Sequence, residues 1–158
     1  MTQTLTIALL VAATAADGLL AGASLDQSIK QLPARHRMGV IAFSAYSRAS
    51  DLGPGIIWYA TLGIGAALLT VAAAIAALVQ GAAPVHAWPI YIAAGLAVLH
   101  SLTTSRAAPT NFQQRKVPND EAALAAIFNR FERWQTARVS LQVLTFVAAL
   151  WALVTYIS

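Results

Sequence analysis

Four apolar runs, each about as long as a membrane-spanning helix, constrain the fold of this chain more than any other feature. The hydrocarbon core of a bilayer requires about 20 apolar residues of helix. Helices and closed barrels alone can span it, because every backbone polar group must be paired internally. The sequence therefore predicts an all-α integral membrane four-helix bundle in a single domain over residues 1–158. The four spans are expected at about residues 5–25, 56–79, 88–104 and 139–158.

The composition supports a membrane protein and excludes several other classes. Hydrophobic residues make up 58% of the chain and charged residues only 10%, whereas soluble proteins average about 25% charged residues. The net charge of +4 does not indicate a nucleic-acid partner, because the basic residues lie beside the apolar runs. The chain has no cysteine, which excludes disulfide and thiol chemistry. No basic residue precedes the first run, so we expect a retained span and not a cleaved signal peptide.

The basic residues are confined to two connections. All ten Lys and Arg fall within residues 27–55 and 105–138, and the short turn at 80–87 and both termini hold none. Basic residues mark the cytoplasmic loops of membrane proteins. We therefore predict an up-down-up-down bundle in the cell inner membrane, with the two connections in the cytoplasm and both termini outside.

Helical signals continue into both connections. Apolar residues recur at helical spacing from Met38 to Tyr46 and predict an amphipathic helix near the membrane surface, ended by Gly53-Pro54-Gly55. Residues 105–119 are expected to form a loop, because Pro109 and Pro118 break helices. Asn119 and Asp120 are expected to cap a long helix that continues unbroken into the last span.

Asp17 is the one charged residue inside the first run. It lies about 12 Å of helix before the end of the run at Leu25. A carboxylate at this depth costs a few kcal/mol, so we expect it to face the bundle interior. Its partner would be a hydroxyl or a cation such as Arg138 or Arg48. Its role is either catalytic or limited to a hydrogen bond between packed helices.

Arg138 stands where the long polar helix enters the last span. Trp134 lies four residues earlier on the same helical face, which Phe131 and Ile127 extend. We interpret this face as the packed one, with the Arg138 guanidinium stacked on Trp134 at the mouth of the bundle. The alternative is an arginine that reaches the headgroups from a helix end.

Two further polar residues are candidates for chemistry. His100 lies near the cytoplasmic end of the third span and is either a general acid or base or a polar residue satisfied at the interface. Asn111 follows a proline in the predicted loop and either caps a turn or donates to a ligand oxygen. No metal site is expected, because His86 and His100 are about 21 Å apart along one helix and no third ligand accompanies His100.

Several short motifs occur in order along the chain. They are Gly18-x-x-x-Gly22, Pro33, the run from Arg48 to Gly55, Pro109-Thr110-Asn111 and Trp134-x-x-x-Arg138. Together they resemble the anthrone oxygenase-like family of small four-helix membrane proteins. The resemblance implies a cofactor-independent oxygenase that acts on activated polycyclic phenols, with Asn111, Trp134 and Arg138 at the motif positions. The cationic first connection departs from the family pattern.

Two functions stay open on these observations. An oxygenase for a lipophilic phenol-type substrate requires a base, oxyanion donors and apolar walls, but no cofactor. The predicted residues are Asp17, His100 and Arg138 for catalysis and Asn111, Trp134, Tyr46 and Arg48 for substrate binding. The alternative is a structural or accessory subunit that contacts lipid, further copies of itself or other membrane subunits. A pocket of at least about 300 Å³ that Asp17, Trp134 and Arg138 share would favour the enzyme.

Overall fold

A computed structural model describes residues 2–157, and they form helices without any strand. The α-helices are α1 (Thr2–Asp26), α2 (Leu32–Met38), α3 (Val40–Ala49), α4 (Gly55–Gln80), α5 (Pro84–Phe112) and α6 (Glu121–Ile157). A π-helical turn, Gln27–Gln31, joins α1 to α2, and a 3₁₀ turn, Gln113–Lys116, follows α5. The predicted all-helical class is confirmed.

Four helical stretches are long and apolar enough to cross a membrane, which is the pattern of a multi-pass membrane protein. They pack in a ring, with α1 and α5 each lying between α4 and α6. At one end of this four-helix bundle lies an alanine-rich cluster, in which Leu10, Ile90 and Tyr156 pack among Ala73, Ala77 and Ala152. Small side chains let helices in a membrane approach closely, so the helices pack tightly at this end.

The first helical stretch is longer than predicted. It continues past Leu25 through the π-helical turn and α2 to Met38, and Pro33 is tolerated because it lies in the first turn of α2. Gly39 ends the stretch with a φ of +82°, a left-handed conformation that glycine adopts without strain. Arg35 of α2 then pairs with Glu132 of α6 at 2.6 Å, which ties this end of the stretch to the long last helix.

The predicted loop at 105–119 is largely helical, so this expectation was wrong. α5 runs through Pro109 to Phe112. Pro109 removes one backbone bond, the one to the Ser105 carbonyl, while the Thr110 hydroxyl donates to the adjacent Arg106 carbonyl at 2.9 Å. The long last helix is confirmed: Asp120 caps it by accepting from the Ala123 amide at 2.9 Å, and it continues unbroken to Ile157.

Candidate functional site

A cavity of about 200 Å³ lies among the four long helices, at the end opposite the alanine-rich cluster. Its lining is half polar and half apolar. The polar residues are Ser24, Gln27, Asp51, Tyr59, Thr104, Asn111, Arg138 and Gln142. The apolar residues are Leu20, Leu52, Ile56, Ala60, Gly63, Ala108, Phe112 and Phe131. The volume is below the range of about 300–1,000 Å³ that is usual for sites of drug-sized ligands.

A chain of hydrogen bonds crosses one wall of this cavity. Arg138 Nη2 donates to Gln27 Oε1 at 3.2 Å, and Gln27 Nε2 donates to Asp51 Oδ2 at 3.1 Å. Arg138 also donates to Gln135 of its own helix. No carboxylate of residues 2–157 lies within ion-pair distance of Arg138. The guanidinium of Arg138 therefore donates to neutral amide oxygens. Asp51, on the far side of Gln27, attracts its charge at longer range.

Asp51 is the one acidic residue on the cavity lining. It lies in the turn between α3 and α4, where burial raises the pKa of its carboxyl group above the usual value. Hydrogen bonds from Gln27 and Ser47 and the charge of Arg138 act in the opposite direction. A half-buried carboxylate with a raised pKa is a stronger base than an ordinary aspartate, so Asp51 is suited to accept a proton in the cavity.

Three lining residues keep polar atoms without a partner among the described residues. They are Ser24 Oγ, Gln142 Oε1 and Arg138 Nε. Buried polar atoms are nearly always hydrogen-bonded, and an unpaired one costs about 1–3 kcal/mol. Their grouping around one cavity indicates a site for a ligand that carries polar atoms of its own.

Asn111 lines the cavity as expected, although it lies in the last turn of α5 and not in a loop. Its carboxamide oxygen accepts from Gln114 Nε2 at 2.7 Å. Gln114 is itself held by Ser44 at 3.0 Å and by Ser47 at 3.2 Å. This buried network fixes the Asn111 side chain and leaves its amide nitrogen as a donor.

Asp17 faces the bundle interior as predicted, with 2% of its surface exposed. Thr70 of α4 donates to its Oδ2 at 2.9 Å, and its Oδ1 has no partner within residues 2–157. Asp17 is absent from the cavity lining, because it lies one helical turn beyond Leu20. The expectation that it shares the volume with Arg138 is therefore wrong.

His100 is also buried and lies outside the cavity lining. Because α5 extends to Phe112, His100 sits near the middle of its helix and not near the end of the span, where it was expected. Neither ring nitrogen has a hydrogen-bond partner in the described part of the chain.

Trp134 lies on the outer surface, so its predicted place on the cavity wall is wrong. Its side chain is 38% exposed and lines a separate groove between α5 and α6. The buried face of α6 is centred on Phe131, Gln135 and Gln142, one residue away from the predicted face. The predicted stacking of Arg138 on Trp134 is not found either, because the guanidinium turns inward to Gln27 and Gln135.

Tyr46 and Arg48 do not reach the cavity. Tyr46 is exposed on α3, with its ring centroid 6.3 Å from that of Phe43. Arg48 forms no ion pair with nearby Asp51, which accepts a hydrogen bond from Gln27. The motif around Asp51 thus contributes its carboxylate to the site and not its arginine.

Sequence reasoning missed most of the polar lining. It does not predict six of the polar lining residues: Ser24, Gln27, Asp51, Tyr59, Thr104 and Gln142. A signal for Gln142 is present in the sequence: this residue lies within the last apolar run, where a carboxamide that faces lipid would be costly. Within residues 2–157 no cluster of three His, Cys, Asp or Glu side chains could hold a metal ion.

Searches against protein-family models, curated protein sequences and solved structures returned no match for this chain.

Proposed function

We propose that this protein binds a small lipophilic compound with one acidic hydroxyl group, a phenol or an enol, in the cavity. The observation that carries the proposal is Arg138, a cation at the edge of a membrane-spanning bundle that has no ion-pair partner among the described residues and borders a half-apolar cavity. A phenolate or enolate oxygen would supply the missing negative charge. Asn111 would donate to the same oxygen, and residues such as Ile56 and Phe131 would contact the apolar body.

The reaction follows from the resemblance to anthrone oxygenases. Asp51 takes a proton from the substrate, Arg138 and Asn111 stabilise the resulting oxyanion, and the anion then reduces molecular oxygen. For an anthrone-type substrate, the methylene carbon becomes a carbonyl and the second oxygen atom leaves as water, so no external reductant is needed. The cavity offers Asp51 as the base in place of the predicted Asp17 and His100, which lie outside its lining.

Replacement of Arg138 by Gln tests the binding step. β-Naphthol is a suitable fluorescent probe, because its emission depends on its protonation state and surroundings. We expect Arg138→Gln to weaken its binding at least tenfold, since a charge-assisted hydrogen bond contributes roughly 1.5–3 kcal/mol. Arg133→Gln is the matched control, because Arg133 is exposed on the same helix and outside the cavity. Equal affinity of the two variants would refute the proposed site.

Oxygen uptake with anthrone separates binding from chemistry. We expect purified protein to accelerate oxygen consumption and Asp51→Asn to abolish this acceleration while β-naphthol still binds. Binding without oxygen consumption would contradict the oxygenase and leave a ligand-binding protein.

The topology that we propose is up-down-up-down, with both termini outside the inner membrane and the cavity near the cytoplasmic side. Three contacts support antiparallel packing of α1 and α4: Thr6 bonds Gln80, Asp17 bonds Thr70, and Gln27 bonds Asp51. The chain has no native cysteine, so Gln3→Cys and Arg130→Cys can be labelled selectively. Labelling of Gln3→Cys only from the cytoplasm would overturn the topology.

The small volume of the cavity favours the second candidate, an accessory subunit of a larger membrane assembly. In that case the unpaired groups around Arg138 would be met by a partner and not by a small molecule. Native purification followed by mass spectrometry distinguishes the two functions, because a subunit retains a protein at fixed stoichiometry and the proposed binder retains a small molecule.

A further inference from the structure

A groove of about 290 Å³ follows the outer seam between α5 and α6 and shares no residue with the cavity. Its lining consists of Leu99, Leu102, Thr103 and Arg106 from α5 and Trp134 and Leu141 from α6. Leu102 is 60% exposed, so the groove is open to whatever surrounds the bundle.

The groove has a polar end and an apolar end. On α5, Arg106 lies seven residues beyond Leu99, which is about 10 Å along the helix. On α6, Trp134 lies seven residues before Leu141, again about 10 Å. α5 and α6 are antiparallel, because Ala107 near the end of α5 shares a cluster with Leu124 and Phe128 near the start of α6. Arg106 and Trp134 therefore lie towards the same end of the groove, and Leu99 and Leu141 lie towards the other. A cation and an indole ring therefore occupy one end, and leucines occupy the other.

Arg106 has no ion-pair partner among the described residues. The two ion pairs found in residues 2–157 join Lys30 to Asp26 and Arg35 to Glu132, and Arg106 is exposed. Trp134 is the residue type that membrane proteins place at the level of the headgroups. A positive charge beside an interfacial tryptophan and above an apolar furrow complements a lipid with an anionic head and an acyl chain.

We propose that this groove binds one anionic phospholipid, with the phosphate on Arg106 and the upper acyl chain along Leu102 and Leu99. Trp134 flanks the glycerol region. This site gives Trp134 a role outside the cavity, and it does not depend on the proposed oxygenase. A peptide partner fits less well, because the furrow offers its apolar contacts along a helix seam that faces the hydrocarbon.

Retention of lipid by the purified full chain tests this proposal. Delipidated protein in detergent is titrated with phosphatidylglycerol or with phosphatidylcholine, and the bound lipid is counted by native mass spectrometry. We expect preferential retention of one phosphatidylglycerol and about a fivefold weaker retention by Arg106→Gln, the effect of one basic residue at a membrane surface. Arg133→Gln, which removes an exposed arginine outside the groove, should retain the lipid as the unchanged protein does.

A second variant tests the acyl-chain contact without changing any charge. Leu102→Trp fills the furrow at an exposed position, where it does not threaten folding, and should reduce retention of phosphatidylglycerol at least threefold. Equal losses for Arg106→Gln and Arg133→Gln would show general attraction to basic residues and overturn the site. Unchanged retention by Leu102→Trp, or no preference for phosphatidylglycerol, would overturn it as well. β-Naphthol binding should be the same in all three variants.

Discussion

The two ends of the bundle solve the same packing problem in opposite ways. At one end Leu10 and Ile90 fill the space among alanines of the other helices. At the other end the facing positions carry Gln27, Gln142 and Arg138, and a cavity remains among them. Small apolar residues let helices close on one another, whereas long polar side chains hold them apart and require partners. We therefore expect substitutions at the first end to change stability most and substitutions at the second end to change the proposed ligand binding.

The largest expected effect is a loss of stability at the apolar end. Leu10→Ala removes a fully buried side chain and should lower the free energy of unfolding by about 2–5 kcal/mol. Ser24→Ala, at the polar end of the same helix, should leave it unchanged or raise it by up to about 1–3 kcal/mol, because the buried Ser24 hydroxyl has no partner in the described residues. Reversible denaturation in mixed micelles measures both changes. A larger loss of unfolding free energy for Ser24→Ala than for Leu10→Ala would contradict the assignment of stability to the apolar end.

The pH dependence at the polar end should come in part from Asp51. Because burial raises the pKa of Asp51 in the folded state, the folded protein binds this proton more tightly than the unfolded chain does. The free energy of unfolding should therefore gain a contribution as pH falls through the folded pKa towards the ordinary value of about 3.9. Asp51→Asn should lack this contribution. The difference between the two pH profiles isolates the residue from all other titrating groups, and identical profiles would contradict the assignment.

The smallest expected effect concerns the two glycines of α1. Gly22 faces open space, so Gly22→Ala should raise the free energy of unfolding by up to about 1 kcal/mol through helix propensity. Gly18 lies against Phe146 of α6, whose ring carbon would be 2.9 Å from an added methyl group. Gly18→Ala should gain less or lose stability. An equal gain in the two variants would show that α1 and α6 do not pack closely at Gly18.

The fold was largely predictable because hydrophobic length and charge position act over whole segments. The four apolar stretches and the unbroken last helix can be predicted without knowing which other helices pack against them. The end of α5 did not follow from its sequence, because Pro109 normally breaks a helix and the helix continues through it here. A rule about one residue fails where packing along a whole helix outweighs the loss of one backbone bond.

The site was predictable only in part. The motif positions and the chemistry of the side chains predict Arg138 and Asn111, and both residues line the cavity. Trp134 was placed inside because apolar residues were assumed to define the packed face of α6. The packed face instead carries Gln135 and Gln142. Gln135 is hydrogen-bonded within the bundle, and Gln142 lines the cavity. Which of two adjacent faces is buried depends on the partner helices, and a single sequence does not record them.

Filling the cavity is the most direct test of the claim that the polar end binds a ligand. Gly63 lines the cavity, Gly65 does not, and an added Cβ would have no atom within 4 Å at either position. Leucine favours helix over glycine, so Gly63→Leu and Gly65→Leu should both fold. In a fluorescence titration with β-naphthol, we expect Gly63→Leu to lose at least tenfold in affinity and Gly65→Leu to bind as the unchanged protein does. Equal affinity of Gly63→Leu and Gly65→Leu would contradict the account.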